Sequence, residues 1–274
     1  MAFKIIVCAK QVPDTNEITI DFEKGTLKRD GVPSIMNPDD ANALEEALRI
    51  KDMYPNVHIT VITMGPPQAK SILMEALAMG ADDAVLACDK ALGGSDTWAT
   101  SNALAAAIEK LDGGYDLILA GRQAIDGDTA QVGPQLAEKL GIPQVTYVKE
   151  LNLNSNMKNI TVKRALEDGY ELVKVKTPCI LTATKELNTP RLMSIRGIFE
   201  ACKKDTIQWN AKDLNVDVDQ EVGLKASHTN VFRSFTPMPK GKGILIEADT
   251  PKESVQKLLI YLKGKHECNV IRSK

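Results

Sequence analysis

One stretch of the sequence decides the fold class: Asp116-Leu117-Ile118-Leu119-Ala120-Gly121-Arg122-Gln123-Ala124-Ile125-Asp126-Gly127-Asp128-Thr129-Ala130-Gln131-Val132-Gly133. The residues Leu117–Leu119 are apolar without alternation, as in a strand that is covered on both faces. After the polar loop, Val132, Leu136 and Leu140 recur at four-residue steps, which predicts a helix. A buried strand, a glycine-containing loop and a helix in this order predict part of a βαβ unit.

Residues 1–150 alternate between β-rich runs and helical patterns. The further predicted strands are Lys4–Ala9, His58–Met64, Ala84–Ala87 and Gln144–Val148. The helical patterns include Leu44, Ala47 and Leu48, and Leu104, Ala107, Ile108 and Leu111. This alternation predicts a doubly wound α/β fold, with a mainly parallel sheet and helices on both faces. A small hairpin, Glu17–Phe22 with Thr26–Asp30, is expected inside the first crossover.

Beyond residue 150 the pattern changes. The runs Ile160–Leu166 and Tyr170–Lys176 flank Glu167-Asp168-Gly169, which predicts a β-hairpin, and Pro178–Ala183 is predicted as another strand. Residues 205–250 show little periodicity, and Pro251–Lys263 is predicted as a last, amphipathic helix. We expect an α/β domain over residues 1–205 and an irregular arm with this helix over residues 206–274. The apolar face of the helix needs a surface to cover, either this chain's own core or a partner chain.

The composition excludes several classes of protein. The chain has 274 residues, and 34 Lys and Arg against 36 Asp and Glu give a net charge of -2, which leaves no excess positive charge to grip nucleic acid. No apolar run approaches the ~20 residues of a membrane helix. The apolar run Phe3–Ala9 is too short for a secretory signal. Five widely spaced cysteines without a C-x-x-C pair favour a reducing cytoplasm.

Standard catalytic motifs are absent from the sequence. There is no P-loop, no G-x-G-x-x-G after the first strand, no G-x-S-x-G and no H-E-x-x-H. His266-Glu267-Cys268 is too isolated from other ligand-type residues for a metal site, so we expect a solvated tail there. Nothing in the sequence pairs a nucleophile with a base.

The loop Arg122–Gly133 is the candidate ligand site. It follows a parallel strand and precedes a helix, and ligands of open α/β sheets bind beyond the carboxyl ends of the strands. A helix N-terminus there offers free N–H groups to a phosphate, and Gly127 and Gly133 allow close approach. A capping box, with Asp128 at the cap and Gln131 three residues on, would instead satisfy the same groups internally. Phosphate binding and ordinary capping therefore both stay open.

Other loops should converge on the same edge of the sheet. These are Cys8-Ala9-Lys10 after the first strand, Met64-Gly65-Pro66 after the second main strand, Gly93-Gly94-Ser95-Asp96-Thr97 before the helix of Leu104, and Met36-Asn37-Pro38-Asp39-Asp40 before the first main helix. Asn37 or Asp39 is a plausible helix cap. Together the loops fit an adenine nucleotide that is held largely by backbone groups.

Several motifs in order resemble the beta subunit of electron-transfer flavoproteins. They are Met36-Asn37-Pro38, Ala76-Leu77-Ala78-Met79-Gly80-Ala81-Asp82, Gly121-Arg122-Gln123-Ala124-Ile125-Asp126, Val162-Lys163-Arg164, Glu167-Asp168-Gly169-Tyr170-Glu171, Thr177-Pro178-Cys179-Ile180-Leu181-Thr182 and Asn188-Thr189-Pro190-Arg191. The resemblance covers about residues 1–205. Two departures are Ala165, where the family often has a Glu in an inter-subunit ion pair, and Asp168 in place of a glycine.

The resemblance implies a heterodimer with an alpha subunit whose FAD exchanges electrons with a dehydrogenase. It implies nucleotide contacts from Cys8 or Ala9, Asn37, Pro38, Asp39, Asp40, Met64 and the loop Arg122–Gly133. The segment 191–200, with Arg191 and Ile195, would dock onto an acyl-CoA dehydrogenase; Ile195 as a core residue at a helix start is the alternative. The C-terminal arm would reach the alpha subunit.

The resemblance leaves the nucleotide of this subunit open between two branches of the family. One branch carries a structural AMP. The other carries a second FAD that takes hydride from NADH and divides the electrons between ferredoxin or flavodoxin and the alpha-subunit FAD. Residues 126–134 resemble the FAD branch, as do Gly94-Ser95-Asp96-Thr97, where Asp96 and Thr97 would lie near the flavin or NADH. A third reading is a nucleotide-binding regulatory protein of similar fold without electron transfer.

Overall fold

The computed structural model describes residues 2–14, 19–21, 26–28, 33–232, 241 and 243–271, without the side chains of 19–21, 26–28 and 265–271. The strands are β1 (Phe3–Cys8), β2 (Gln11–Pro13), β3 (Thr19–Asp21), β4 (Thr26–Lys28), β5 (Ser34–Met36), β6 (Val57–Met64), β7 (Asp83–Ala87), β8 (Leu117–Gly121), β9 (Gln144–Leu153), β10 (Asn159–Leu166), β11 (Gly169–Lys176), β12 (Cys179–Ala183) and β13 (Ile207–Trp209). The helices are α1 (Pro38–Met53), α2 (Lys70–Met79), α3 (Thr97–Glu109), α4 (Val132–Leu140), α5 (Ile195–Ala201), α6 (Gly223–Ala226) and α7 (Pro251–Ile271).

The main sheet has nine strands in the order β11-β10-β9-β12-β8-β1-β6-β7-β13. All neighbours from β9 to β13 pair parallel, and the hairpin β10–β11 adds two antiparallel strands at the β9 edge. The predicted doubly wound α/β fold is confirmed.

Two apolar layers cover the sheet. Ile5 and Val7 face the layer that contains the buried residues of α1 and α2, whereas Ile6 and Cys8 face the layer of α3 and α4. Successive side chains of a strand point to opposite faces, so a strand between two helix layers is apolar at every position. This arrangement explains the unbroken run Ile5–Val7.

The short elements of the first crossover form two small ladders. β3 pairs with β4 in the predicted hairpin, with Thr19 opposite Lys28, while the remaining residues of that hairpin lie outside the described part. β2 pairs antiparallel with β5, a ladder that was not predicted because each strand has three residues. β13 was missed for the same reason; it adds a parallel edge strand beside β7.

The contacts divide the chain into two compact units, residues 1–234 and 235–274. In the second unit α7 extends from Pro251 to Ile271, past the predicted end at Lys263. Its apolar side chains Val255, Leu258, Leu259 and Leu262 are each about half exposed within this chain. No helix in the described part has the length and apolar character that crossing a membrane requires. The predicted domain division at residue 205 stays a prediction.

Candidate functional site

The candidate site lies at the switch point of the sheet. β1 and β8 are neighbours, but α1 after β1 covers one face and α4 after β8 covers the other. In open α/β sheets a crevice forms between the strand ends at such a switch point, and ligands bind there. Residues 8–10 and 121–131 border it. The fold thus brings together two predicted site segments that are far apart in the sequence.

Asp40 joins the two strand ends beneath the crevice. Its buried carboxylate accepts hydrogen bonds from the backbone N–H of Lys10 and from that of Gly121, each at 2.8 Å. Burial raises the pKa of Asp40 to about 7, although both hydrogen bonds act in the opposite direction. Gly121 is required here because a Cβ would lie against the Asp40 side chain. Asp40 is therefore an internal tie between β1, β8 and α1.

Asn37 ties the loop after β8 to the start of α1. It is fully buried; its Nδ2 donates to the Gln123 carbonyl at 2.8 Å and its Oδ1 accepts from Ile125 N at 3.1 Å. Asn37 lies at the N-cap position of α1, as predicted, but its side chain makes no capping bond to the helix. Pro38, at the exposed first position of the helix, has no N–H to satisfy. The Asn37 side chain is therefore available to bond to the loop after β8.

Asp39 and Arg122 form an ion pair at the mouth of the crevice. The Asp39 Oδ2 to Arg122 Nε distance is 3.3 Å, and neither buried atom has a hydrogen-bond partner among the described residues. Burial raises the pKa of Asp39, and the charge of Arg122 lowers it in part. The Arg122 guanidinium lies 5.8 Å from the centre of the Tyr147 ring. The two atoms face each other as opposite charges, so each compensates the burial of the other without a hydrogen bond.

The loop 122–131 is held by contacts among its own side chains and with β1. Lys10 Nζ lies 2.7 Å from Asp126 Oδ1, and Gln123 Nε2 donates to Asp128 Oδ1 at 2.7 Å. The Ala124 carbonyl accepts from the N–H groups of Gly127 and Asp128. Asp128 and Ala130 have left-handed backbones, with φ of 50 and 51. A non-glycine residue in this region costs energy and is common at ligand-binding loops.

The capping-box alternative is wrong. α4 begins at Val132, four residues after Asp128, so Asp128 is too far from the first helical N–H groups to cap them. Gln131 is at the cap position and makes no side-chain capping bond; its Oε1 accepts from Thr97 Oγ1 at 3.1 Å. In the described part of the chain, the N–H groups of Thr129, Ala130 and Gln131 have no acceptor.

These N–H groups fit a nucleotide phosphate. Three successive unbonded donors lead into α4, whose N-terminus carries a partial positive charge. Gly127 has no heavy atom within 4 Å of where its Cβ would be, so the loop leaves open space at this point. Gly133 lets α4 approach β12, because a Cβ there would lie 2.6 Å from Thr182 Cγ2. The residues present are therefore compatible with an adenine nucleotide.

The loop that leads into α3 through Asp96 contacts the loop 122–131. Asp96 caps α3 by accepting from Ala99 N at 2.9 Å, and its other oxygen accepts from Thr229 N and Oγ1. Burial acts to raise the pKa of Asp96, but these hydrogen bonds outweigh it and the pKa is lowered. Asp96 thus stays a carboxylate. The bond from Thr97 to Gln131 joins this loop to the candidate phosphate loop.

The remaining strand-end residues are largely internal. Cys8 and Ala9 are buried, and burial raises the pKa of the Cys8 thiol to about 12, so it stays protonated. Met64 is partly buried against the apolar layer of α3 and α4. Met64 is the one of these three residues that is not fully buried, so it is the one best placed to contact a nucleotide directly.

Sequence reasoning missed three aromatic residues near the site. Tyr147 lies at a bulge of β9 and contacts Arg122, and Trp98 of α3 stacks on His228 with ring centres 4.5 Å apart. Lys139 Nζ lies 4.5 Å from the centre of the Trp98 ring. The contacts join residues far apart in sequence, so no local pattern marks them.

The predicted partner segment lies on the surface around α5. Ile195 is 77 % exposed, and Leu192 and Phe199 are 92 % and 66 % exposed, so Ile195 is not a core residue. Arg191 is paired within the chain: its Nε lies 2.8 Å from Glu45 Oε2 and its Nη2 lies 2.8 Å from Asp52 Oδ2. An exposed apolar patch of this kind indicates an interaction surface.

The electron transfer flavoprotein domain family matches residues 24–214. The chain belongs to the electron transfer flavoprotein family. It is 57 % identical over 262 residues to the electron transfer flavoprotein subunit beta of Clostridium acetobutylicum, covering 96 % of this chain and 98 % of the relative. It is 55 % identical over 263 residues to the caffeyl-CoA reductase-Etf complex subunit CarD of Acetobacterium woodii, covering 96 % and 99 %. The acryloyl-CoA reductase electron transfer subunit gamma of Anaerotignum propionicum is 46 % identical over 269 residues, covering 96 % and 99 %.

Within the electron transfer flavoprotein family, the chain is a beta subunit, which confirms the resemblance drawn from the motifs. Ala165, the departure from the family pattern, lies on β10 opposite Tyr170 of β11. The neighbouring Arg164 has a Glu171 oxygen 3.4 Å from its Nη1, and its Nε is buried without a partner in the described part.

The described side chains hold no group of residues that could bind a metal ion. The side chains of His266, Glu267 and Cys268 lie outside the described part. Cys8, Cys88, Cys179 and Cys202 are free.

Proposed function

We propose that this beta subunit binds FAD in the crevice between β1 and β8. The observation that carries the proposal is the loop 129–131, whose three N–H groups have no acceptor in the described part, at the switch point of the sheet. The diphosphate would bind these N–H groups, and Arg122, Asp39 and Asn37 would hold the loop around it. The loop with Asp96 and Thr97 would border the flavin or NADH.

The proposed cofactor supplies the redox chemistry: it would accept hydride from NADH and divide the electrons between ferredoxin or flavodoxin and the FAD of an alpha subunit. The protein's part is to bind, orient and exclude water. Asn37 and Asp40 hold the crevice in shape, and Arg122 presents a positive charge at its mouth. We assign no acid or base to this chain.

The partners follow from the subunit type and from the relatives. A beta subunit implies a heterodimer with an alpha subunit. Two relatives are named for caffeyl-CoA reductase and acryloyl-CoA reductase complexes, which supports an acyl-CoA dehydrogenase-type partner. The exposed Leu192, Ile195 and Phe199 offer it an apolar surface. Free cysteines among the described side chains support a cytoplasmic location.

AMP is the alternative occupant, because the same N–H groups would bind a monophosphate. The deciding measurement is the nucleotide content of the heterodimer co-expressed with its alpha subunit, denatured and separated by chromatography. Two FAD per heterodimer are expected. One FAD with one AMP would make this subunit a structural nucleotide carrier. A heterodimer that releases one FAD and no second nucleotide would overturn the site itself.

A pair of asparagine variants tests where the nucleotide binds. Asn37→Ala leaves the Gln123 carbonyl and the Ile125 N–H, both in half-buried residues, without these partners, so the loop loosens and nucleotide retention should fall by about tenfold. The matched control is Asn102→Ala, which loses one bond from its amide to the Glu221 carbonyl on the other side of α3. Equal retention in both variants would place the nucleotide elsewhere.

A further inference from the structure

One helix face holds the segment that leads into α5. Asn42 and Asn188 are bonded reciprocally: Asn42 Nδ2 donates to the Asn188 carbonyl at 2.7 Å, and Asn188 Nδ2 donates to the Asn42 carbonyl at 3.0 Å. Asn188 Nδ2 also donates to Glu46 Oε2 at 2.9 Å. Glu45 accepts from the backbone and the side chain of Arg191. We call these five residues the α1 clamp.

The centre of the α1 clamp is the ion pair between the buried Glu45 and Arg191, whose side chain is 32 % exposed. Glu45 is 4 % exposed, and it accepts from Arg191 N at 3.1 Å, Nε at 2.8 Å and Nη2 at 3.2 Å. Burial acts to raise the pKa of Glu45, but its bonds with Arg191 outweigh burial and lower it. The three bonds fix both the backbone and the planar guanidinium of Arg191. The residue after it, Leu192, begins the exposed apolar patch.

The segment is held at its far side as well. Gly197 of α5 lies against the Ala78 carbonyl of α2, where a Cβ would clash with the backbone. Lys204 Nζ donates to the carbonyls of Ala81 at 3.0 Å and Asp82 at 2.8 Å. The exposed Leu192, Ile195 and Phe199 therefore belong to a segment that is anchored before and after them.

α1 joins this segment to the crevice. Its first turn carries Asp40, which is bonded to both strand ends, and its second and third turns carry Asn42, Glu45 and Glu46 of the α1 clamp. We propose that the α1 clamp is a positioning device, in which Glu45 and Arg191 hold the apolar segment in its docking geometry at a fixed place relative to the nucleotide crevice. The inference rests on the docking role of the segment under the proposed function. Arg191 then acts through the segment and does not itself contact the partner.

The physical consequence is preorganisation. A segment that is ordered before docking loses less conformational entropy when the partner binds, so the clamp should lower the KM for the partner. Releasing it should raise KM and leave kcat nearly unchanged, since the electron-carrying groups stay in place.

The test uses the heterodimer, with an acyl-CoA dehydrogenase reduced by its acyl-CoA substrate as the electron donor. Arg191→Ala should raise the KM for the heterodimer about five- to tenfold. It should also speed hydrogen exchange in residues 188–203 and leave the nucleotide content unchanged. Arg191→Lys keeps the charge without the planar fork, so its KM should lie between that of the parent and that of Arg191→Ala. If the alanine variant fails to fold, a KM of the lysine variant above that of the parent carries the test. Arg49→Ala is the matched control, because Arg49 contacts the same Glu45 at 3.2 Å without touching the segment.

The outcomes separate the inference from the function on which it rests. If Ile195→Ala raises KM but Arg191→Ala and Arg191→Lys do not, the clamp plays no part in docking and the inference is overturned. Unchanged hydrogen exchange in both Arg191 variants overturns it too. If Ile195→Ala leaves the KM for the heterodimer unchanged, the docking role of the segment is contradicted, and with it the part of the proposed function on which the inference rests. A rise in KM for Arg49→Ala equal to that for Arg191→Ala would show a general effect of the Glu45 charge, and would also overturn the inference.

Discussion

Single polar side chains in this protein hold together strands and loops that the chain connects only over long distances. Asp40 bonds to the ends of β1 and β8, and Asn37 bonds to Gln123 and Ile125 in the loop after β8. Both side chains are buried, so each bond that is lost would leave a polar group without water or a partner. The stability of the fold should therefore respond to substitution of either residue, and to pH through the Asp40 carboxyl group.

The pH dependence of Asp40 is a prediction at this scale. Its pKa rises from 3.8 in the free side chain to about 7 in the fold, so the folded state binds the proton more tightly. The resulting stabilisation, on the order of 4 kcal/mol, is complete below about pH 4 and is lost as the pH rises through about 7. Asp40→Asn removes this dependence, but turns an amide NH₂ toward one of the two backbone donors.

Asp40→Asn should therefore have a free energy of unfolding about 1–3 kcal/mol lower than the parent at pH 5. This difference in the free energy of unfolding should shrink or reverse by pH 8, where the parent carries a buried charge at Asp40. Thermal unfolding of the heterodimer at both pH values measures this. Asp116→Asn is the matched control, because it removes the charge of a carboxylate that accepts from Lys4 N at the other end of β1 and keeps an oxygen that can accept this bond. A gap of equal size at pH 5 and pH 8 would contradict the assignment.

At the scale of elements, the start of α4 decides what the loop before it can bind. The helix begins at Val132, and Gly133 brings its first turn against Thr182 of β12. Thr182 is buried, and its Oγ1 accepts from Tyr147 N at 3.2 Å, so it cannot move away freely. The position of the free N–H groups thus depends on one close contact between helix and strand.

Gly133→Ala should disturb this contact. A Cβ at 2.6 Å from Thr182 Cγ2 forces α4 outward, which should cost about 1–3 kcal/mol and lower nucleotide retention. The double variant Gly133→Ala/Thr182→Ser removes the clashing methyl group and keeps the hydroxyl, so it should recover most of both losses. The coupling between the two residues follows from the free energy of unfolding and the nucleotide content of four proteins: the parent, Gly133→Ala, Thr182→Ser and the double variant. Independent, additive effects would show that the contact does not position the loop.

At the scale of the whole molecule, the chain exposes more apolar surface than its own folding can bury. The patch around α5 and the apolar positions of α7 are exposed, and the edge strand β11 carries the exposed Leu172. Such surfaces mark interfaces. The chain is therefore suited to function as part of an assembly.

The C-terminal unit should be covered by the alpha subunit. We expect amide hydrogen exchange in residues 251–264 to slow when the alpha subunit is added, because Val255, Leu258, Leu259 and Leu262 would leave water. Peptides from the centre of the sheet, such as Leu117–Leu119, serve as the internal control, since they are buried already. Exchange in α7 that stays the same in the heterodimer would show that this helix does not bind the alpha subunit.

Much of the fold could be predicted because its signals are local. Unbroken apolar runs such as Ile5–Val7 and Leu117–Leu119 are the direct result of strands covered on both faces, and the predicted hairpin at Asp168-Gly169 is formed by β10 and β11. The three-residue strands β2, β5 and β13 were missed, because so few residues carry no period. The candidate loop was found by its place after a strand, but its internal bonding was not.

Local apolar periods and motifs are enough to predict the fold class, the family and the segments that meet at the crevice. The role of each polar side chain is set only when the chain folds. Asn37 and Asp128 looked like helix caps, yet Asn37 bonds to Ile125, 88 positions away, and Asp128 bonds to Gln123. Arg191, whose contact with a partner stays a prediction, bonds within the chain to Glu45, 146 positions away. A hydrogen bond between distant residues has no period and no fixed spacing, so it is set when the chain folds and leaves no local pattern in the sequence.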